Sequence, residues 1–129
     1  MLDREAAIER LLDRYEQPMR RGALPAPPAH TATASNPRCG DVVTMFADVA
    51  GGRVTRVRFE GAGCTVSQAA ADVVAELAEG QLLASAQALE LGAVLDRLGR
   101  DLVRTRLDCV GLGLSTLQRA LAGGNASER

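Results

Sequence analysis

The chain has 129 residues, 47% of them apolar and 24% charged, and a formal net charge of −1 at pH 7. These values suit one α+β domain spanning 1–129 and exclude the basic footprint of a nucleic-acid binder. No stretch approaches the ~18 apolar residues of a membrane span, and the charged start MLDREAAIER lacks the apolar core of a secretory signal.

Residues 3–16 carry Ile8, Leu11, Leu12 and Tyr15 in one stripe, which predicts an amphipathic helix ended by Pro18 and Gly22. The stretch 22–37, with Pro25, Pro27, Pro28 and Pro37, predicts an extended connector with a short edge strand near Thr31–Ala34. The lone His30 falls in this connector and is expected to be solvated.

Residues 42–49 are β-branched and apolar with weak alternation, which suggests cover on both faces. Ala50-Gly51-Gly52 predicts a tight turn. Residues 53–60 then alternate, with Thr55, Val57 and Phe59 on one face and Arg56, Arg58 and Glu60 on a wet one.

From Thr65 the period is helical, and Thr65-Val66-Ser67-Gln68 has the form of a capping box with Thr65 at the cap. This helix carries Ala69, Val73, Val74 and Leu77 and stops at Gly80. A helix over 85–98 aligns Ala88, Leu91, Leu95 and Leu98. Another over 107–122 aligns Val110, Leu114, Leu117 and Leu121, ends at Gly123-Gly124, and leaves a polar tail, NASER, expected to fray. With aromatics only at Tyr15, Phe46 and Phe59, the core must be Leu, Val and Ala. The architecture expected is a small antiparallel sheet of about three strands with helices packed on one face.

Each of the three cysteines sits at an element boundary, and three are too few for a disulfide framework. That points to a reducing, cytoplasmic setting in which such cysteines are metal ligands or reactive thiols. Cys64 and Cys109 fall near helix starts, where unpaired amides favour thiolate. In Cys39-Gly40-Asp41 a thiol and a carboxylate two residues apart point the same way along an extended chain and can grip one ion. Two further thiolates would complete a four-ligand set for zinc or iron–sulfur chemistry. Against this, separations of 25 and 45 residues are not a zinc-finger spacing, and Asp41 also suits a plain turn residue. The 15 basic residues are all arginine, a composition trait given no functional weight, and Arg56 and Arg58 read as the wet face of a strand.

Three local sequences together resemble the U-type iron–sulfur scaffold family, which comprises IscU, SufU and the N-terminal domain of NifU. They are Asn36-Pro37-Arg38-Cys39-Gly40-Asp41, the Phe59-to-Ser67 segment of form FxGxGCxxS, and Cys109 in the last helix. Tyr15-Glu16-Gln17-Pro18-Met19-Arg20-Arg21-Gly22 is similar to the end of the family's first helix. The resemblance implies a SufE/NifU-like fold and a ligand set of Cys39, Asp41, Cys64 and Cys109. It implies iron or a [2Fe–2S] cluster as cargo, with zinc as the alternative occupant. It also implies a cysteine desulfurase as sulfur donor, apo iron–sulfur proteins as recipients, and Cys39 and Cys109 as candidate persulfide acceptors.

The chain mixes subfamily traits. Asp108 stands where IscU-type members have histidine, and Leu102-Val103-Arg104-Thr105-Arg106 lacks both prolines of their chaperone motif. Arg106, three residues before Cys109, resembles SufU-type members, whose insertion of about twenty residues between the second and third cysteines is missing here. Asp108 either faces the site, as an exchangeable oxygen ligand, or turns outward as a first-turn acid of the helix. The functional expectation is a cluster scaffold, with a zinc-dependent sulfur acceptor as the alternative. A protein that keeps zinc only for its fold and a paralogue that has lost its function complete the possibilities. Docking onto a desulfurase predicts exposed apolar side chains at Val66 and Val110.

Overall fold

The computed structural model of the chain describes residues 3–123. Strands β1 (His30–Asn36), β2 (Asp41–Ala50) and β3 (Arg53–Ala62) form an antiparallel meander in the order β1-β2-β3. Gly51 and Gly52, at φ 61° and 75°, make the two-residue turn between β2 and β3, a geometry that requires positive φ at both central residues. The edge strand exists but runs the full length from His30 to Asn36, because its alternate small residues pair with the whole first half of β2. His30 opens this strand half-buried, its Nδ1 buried and, among the described residues, without a hydrogen-bond partner.

In β2, Val43, Met45 and Ala47 point into the core while Thr44, Phe46 and Asp48 are half-buried on the other face. The strict alternation expected of β3 fails at Thr55. The register slips between Asp48 and Val49, Thr55 has no partner across the ladder, and Val54 takes the buried place. Thr55 is exposed instead, its hydroxyl donating to the Asp48 carbonyl at 3.2 Å. An extra residue in one strand moves everything beyond it to the opposite face, which a period-two template cannot anticipate.

Helix α1 (Arg4–Glu16) is capped by Asp3, whose side chain accepts from the Ala6 N–H at 2.8 Å. Helix α2 (Thr65–Ala78) lies almost wholly inside, with Ala69, Ala70, Ala71, Val73, Val74 and Ala75 fully buried. Its small residues admit α6 (Leu107–Gly123) at close range. A Cβ on Gly113 would sit 3.0 Å from the Ala71 Cα, so only glycine fits comfortably at that crossing. Both helices cover the same face of the sheet.

The single helix expected over 85–98 is instead a pair, α3 (Leu83–Gln87) and α4 (Leu91–Leu98). Ala88 is exposed, and Ala86, Val94 and Leu98 supply the buried contacts. The break is satisfied from α6, where the Gln118 side-chain amide donates to the carbonyls of Gln87 at 3.2 Å and Leu89 at 2.9 Å. Gly99, at φ 100°, then turns the chain into the short α5 (Arg100–Val103). Gly124 and the NASER tail lie outside the described residues.

Two carboxylates, Asp72 on α2 and Glu79 at its C-cap, tie the layers together. Buried Asp72 accepts from the Arg14 guanidinium and from the Arg20 N–H, each at 2.8 Å. Glu79 accepts from Arg20 at 3.0 Å, and from the Val57 N–H and Arg58 at 2.9 Å each. The segment after α1 is thereby held along β3, where Gly22 N–H donates to the Phe59 carbonyl at 2.8 Å. Burial pushes the Glu79 carboxyl up, but the Val57 N–H and the two guanidiniums outweigh it and hold the group below its ordinary value.

Because the folded value is depressed, the contribution of Glu79 is complete above the ordinary carboxylate range and is lost as pH falls through the folded value. Glu79→Gln is expected to cost about 1–3 kcal/mol at neutral pH, with the gap to wild type narrowing in acid. Urea midpoints measured from neutral pH downwards check this, and a gap that stays constant would mean the charge contributes nothing.

Candidate metal centre

Four segments meet at one end of the sheet. The turn 37–40 joins β1 to β2, and the Asn36 carbonyl accepts from the Cys39 N–H at 3.1 Å and the Gly40 N–H at 2.9 Å. Gly40 takes φ 71°, a left-handed conformation that leaves Cys39 exposed at the tip. Asp41, the first residue of β2, is fully buried. Cys64 stands at the start of α2, and Cys109 lies in the first turn of α6 with 1% of its surface exposed.

The side chains converge. The Cys109 thiol donates to Cys39 Sγ at 3.6 Å, and the Cys64 thiol reaches Asp41 Oδ2 at 3.7 Å. Single ligand atoms from Cys39, Asp41 and Cys109 all lie within 4.8 Å of one another. Sulfurs bound to one tetrahedral ion at ~2.3 Å stand about 3.8 Å apart, so the Cys39–Cys109 separation of 3.6 Å matches a shared ion. Three soft sulfurs and one hard carboxylate are a donor set that zinc and iron accept.

The glycine-rich element beside the site has a steric reason. Gly63 takes φ 137°, and a Cβ there would collide with the Asp41 carboxylate. A Cβ on Gly61 would collide with the Val42 carbonyl and crowd Gln68. Only with both positions bare does the chain pass close enough for the Cys64 N–H to donate to Asp41 Oδ1, at 2.8 Å.

The helix cap differs from expectation by one residue. Cys64, not Thr65, is the N-cap of α2, and its sulfur accepts from the Ser67 N–H at 3.4 Å. Ser67 in turn donates through its hydroxyl to the Cys64 carbonyl at 3.1 Å. A sulfur in the cap position lies against the positive end of the helix. Burial pushes the Cys64 thiol up, but the bonds from the Ser67 N–H and the Arg106 guanidinium outweigh it, and the group ends below its ordinary value. Cys109 goes the other way. Burial first, then its bond with Cys39, pushes its thiol up to about 12, against the pull of Arg106.

Arg106 is therefore part of the site. Its exposed guanidinium lines the cavity with Cys64 and Cys109, and the pull of their sulfurs holds it above its ordinary value. Its carbonyl accepts from the Val110 N–H at 3.0 Å, so the residue that starts α6 also faces the thiols. Asp108 takes the outward alternative. It stands apart from the clustered ligand atoms and forms a loose 3.5 Å pair with Arg38, both side chains largely in solvent. The apolar exposure expected at Val110 is absent, since that side chain is fully buried and Val66 is half-buried. One turn of helix explains it, because the face of α6 that carries Cys109 and Val110 points inward. Leu107, 45% exposed, and Val42, 41% exposed, are the apolar side chains open to solvent nearby. The thiols open onto a cavity of about 590 Å³ between the turn 37–40 and residues 104–109.

The model of the NifU-like N terminal domain matches residues 7–126. The iron–sulfur cluster assembly scaffold protein IscU 1 of Archaeoglobus fulgidus is 26% identical over 113 residues, covering 88% of this chain and 72% of that protein. The zinc-dependent sulfurtransferase SufU of Bacillus subtilis is 24% identical over 135 positions, covering 89% of this chain and 90% of the relative. Among solved structures, the SUF-system scaffold protein of Fervidobacterium islandicum matches with a TM-score of 0.73 at 25% identity, over 88% of this chain and 94% of that one. The NifU-like N-terminal protein of Brucella abortus shares the fold with a TM-score of 0.68 at 23% identity, over 90% and 94% of the two chains. This chain belongs to the NifU-like N-terminal domain family.

Proposed function

We propose that this chain assembles an iron–sulfur cluster on Cys39, Asp41, Cys64 and Cys109 and passes it to apo-proteins. The observation that carries the reading is the clustering of Cys39, Asp41 and Cys109 within 4.8 Å of one another, with Cys64 joined to Asp41 at 3.7 Å and all three thiols lining one open cavity. Thiolates are soft ligands suited to iron and sulfide, and one carboxylate in the set makes the cargo easier to release than four thiolates would. Sulfur arrives from a cysteine desulfurase. Cys39, at the exposed tip of its turn, is the acceptor within reach, whereas Cys109 is covered and its thiol is pushed up to about 12.

A second reading has its own support. In a zinc-dependent sulfur acceptor, bound zinc would hold the cysteines as thiolates. Cys39 would then take the sulfane sulfur and hand it on, with no cluster built. The Arg106 guanidinium on two of the sulfurs and the similarity to a zinc-dependent sulfurtransferase favour this version.

Iron, zinc and acid-labile sulfide in protein purified without oxygen, beside Cys109→Ser, separate the two. Iron and sulfide in near-equal amounts, lost in the variant, are expected of the scaffold. Zinc near one ion per chain without sulfide selects the sulfur acceptor, and neither element in either protein overturns both.

Metal uptake should also release a proton. The raised Cys109 thiol is protonated at neutral pH, and an ion can bind its sulfur only by displacing that proton, so affinity rises with pH. Titration calorimetry of zinc in buffers of differing ionisation enthalpy reads the proton directly, and buffer-independent heats would exclude Cys109 as a ligand. Finally, Gly63→Ala is expected to weaken zinc binding about tenfold or more by displacing Asp41. Competition with a chromogenic chelator checks this, and unchanged affinity would remove Asp41 from the ligand set.

A further inference from the structure

The wall of the thiol cavity is built of charges that the ligand set does not use. Arg38 and Arg104 line it beside Cys39, and Asp108 is the acid among the lining residues. The Arg38–Asp108 pair, at 3.5 Å with side chains 82% and 69% exposed, is too loose and too wet to bind much of either charge. Among the described residues Arg104 has no ion-pair or hydrogen-bond partner for its guanidinium. A permanent cation is thus left free at the mouth of a pocket whose floor is sulfur.

The size of the cavity is informative. At about 590 Å³ it falls within the ~300–1,000 Å³ of small-molecule sites and exceeds what one ion needs. The wall offers three guanidiniums and one carboxylate, and with Arg106 turned to the thiols, Arg38 and Arg104 are the two left for a ligand. An α-amino acid head carries the complement, a carboxylate for the guanidiniums and an ammonium for the acid.

Resting on the sulfur chemistry proposed above, we propose that this cavity binds a small α-amino-acid persulfide and that Cys39 accepts its outer sulfur. The donor's carboxylate docks on Arg104 and Arg38, and its ammonium on Asp108, which leaves the sulfur end over Cys39. The Cys39 thiolate attacks the outer sulfur of the donor, R–S–S–H. A new bond forms between Cys39 Sγ and that sulfur as the donor's S–S bond breaks, and the electron pair leaves on the R–S⁻ thiolate. The proton stays on the transferred sulfur. The products are Cys39–S–S–H and a free amino-acid thiolate, with no net oxidation and no further reactant. The chain would then draw sulfur from a free metabolite pool as well as from a protein donor.

The test compares cysteine persulfide with cysteamine persulfide, which keeps the ammonium and lacks the carboxylate. After timed mixing with the purified protein and alkylation, mass spectrometry reads the extra sulfur on the Cys39 peptide. Loading from cysteine persulfide is expected to be about tenfold faster. Arg104→Glu should erase that preference, and Arg104→Lys should keep most of it. Because Arg104 is exposed, neither substitution threatens the fold. Equal rates from the two donors, or an Arg104→Glu protein that still prefers cysteine persulfide, would overturn the proposal. Loading by a cysteine desulfurase with its amino-acid substrate, run alongside, keeps the two ideas apart. Sulfur taken from the enzyme without discrimination between small donors sinks this inference alone, and sulfur taken from no source sinks the underlying reading too.

Discussion

The hydrogen bond from the Cys64 N–H to the Asp41 carboxylate, 2.8 Å long and buried at its acceptor end, is the joint on which this architecture turns. It connects the first residue of β2 to the cap of α2, elements that the chain separates by a whole hairpin. A carboxylate out of water costs several kcal/mol unless donors or a cation face it. Here one amide and one thiol do so at the positive end of a helix. The same contact dictates bare backbone at Gly61 and Gly63, since a side chain at either would push the strand end and the helix start apart. A local sequence that looks like a flexible glycine loop is in fact a close-packed one.

Helix α2 transmits that constraint to the rest of the molecule. Its alanines let α6 approach at Gly113, which fixes where the first turn of α6, and so Cys109, must lie. Asp72 on this helix and Glu79 at its C-cap hold the segment after α1 and the middle of β3. The site is thus placed by two helix starts braced against one sheet, while the turn carrying Cys39 is held by its own bonds to Asn36 and, from α6, by one thiol bond and a loose exposed ion pair. Rigidity therefore falls from Asp41 and Cys109 to Cys39.

Much of this was legible in the sequence, and the exceptions share a cause. The hairpin turn follows from two adjacent glycines, and the first and last helices from their stripes, because each is decided by neighbours in the chain. The bulge at Thr55 and the break at residues 88–90 are decided by partners far away, Asp48 in one case and Gln118 in the other. The shift of the cap from Thr65 to Cys64 is of the same kind, since Asp41 claims the Cys64 N–H and so fixes where the helix begins. At the site, residue chemistry raised a shared site of Cys39, Asp41, Cys64 and Cys109 and spacing alone left it open; the resemblance was what decided for it. Among the surrounding arginines only Arg106 carried a signal, through its likeness to SufU-type members. In a chain whose cations are all arginine, nothing local separates Arg38 and Arg104 from a solvated face.

The unequal burial of the ligand atoms has a consequence for release under the proposed function. Chemistry makes Asp41 the weak member of the set, because a hard oxygen binds soft iron or zinc less tightly than sulfur does. Mechanics makes it the member least able to leave, being buried and pinned by the Cys64 N–H. Cys39 is the converse, a strong ligand at the exposed tip of a turn whose thiol meets only the Cys109 sulfur among the hydrogen bonds of the described residues. Release that begins at Cys39 keeps the three inner ligands in place while a recipient's ligand enters from the cavity side, so the cargo changes hands without being set free in water. Release that began at Asp41 would instead strand a buried carboxylate with one fewer partner. Under the proposed function the arrangement therefore favours exchange through Cys39, the sulfur that would also meet incoming donors, so that one face would serve both loading and unloading.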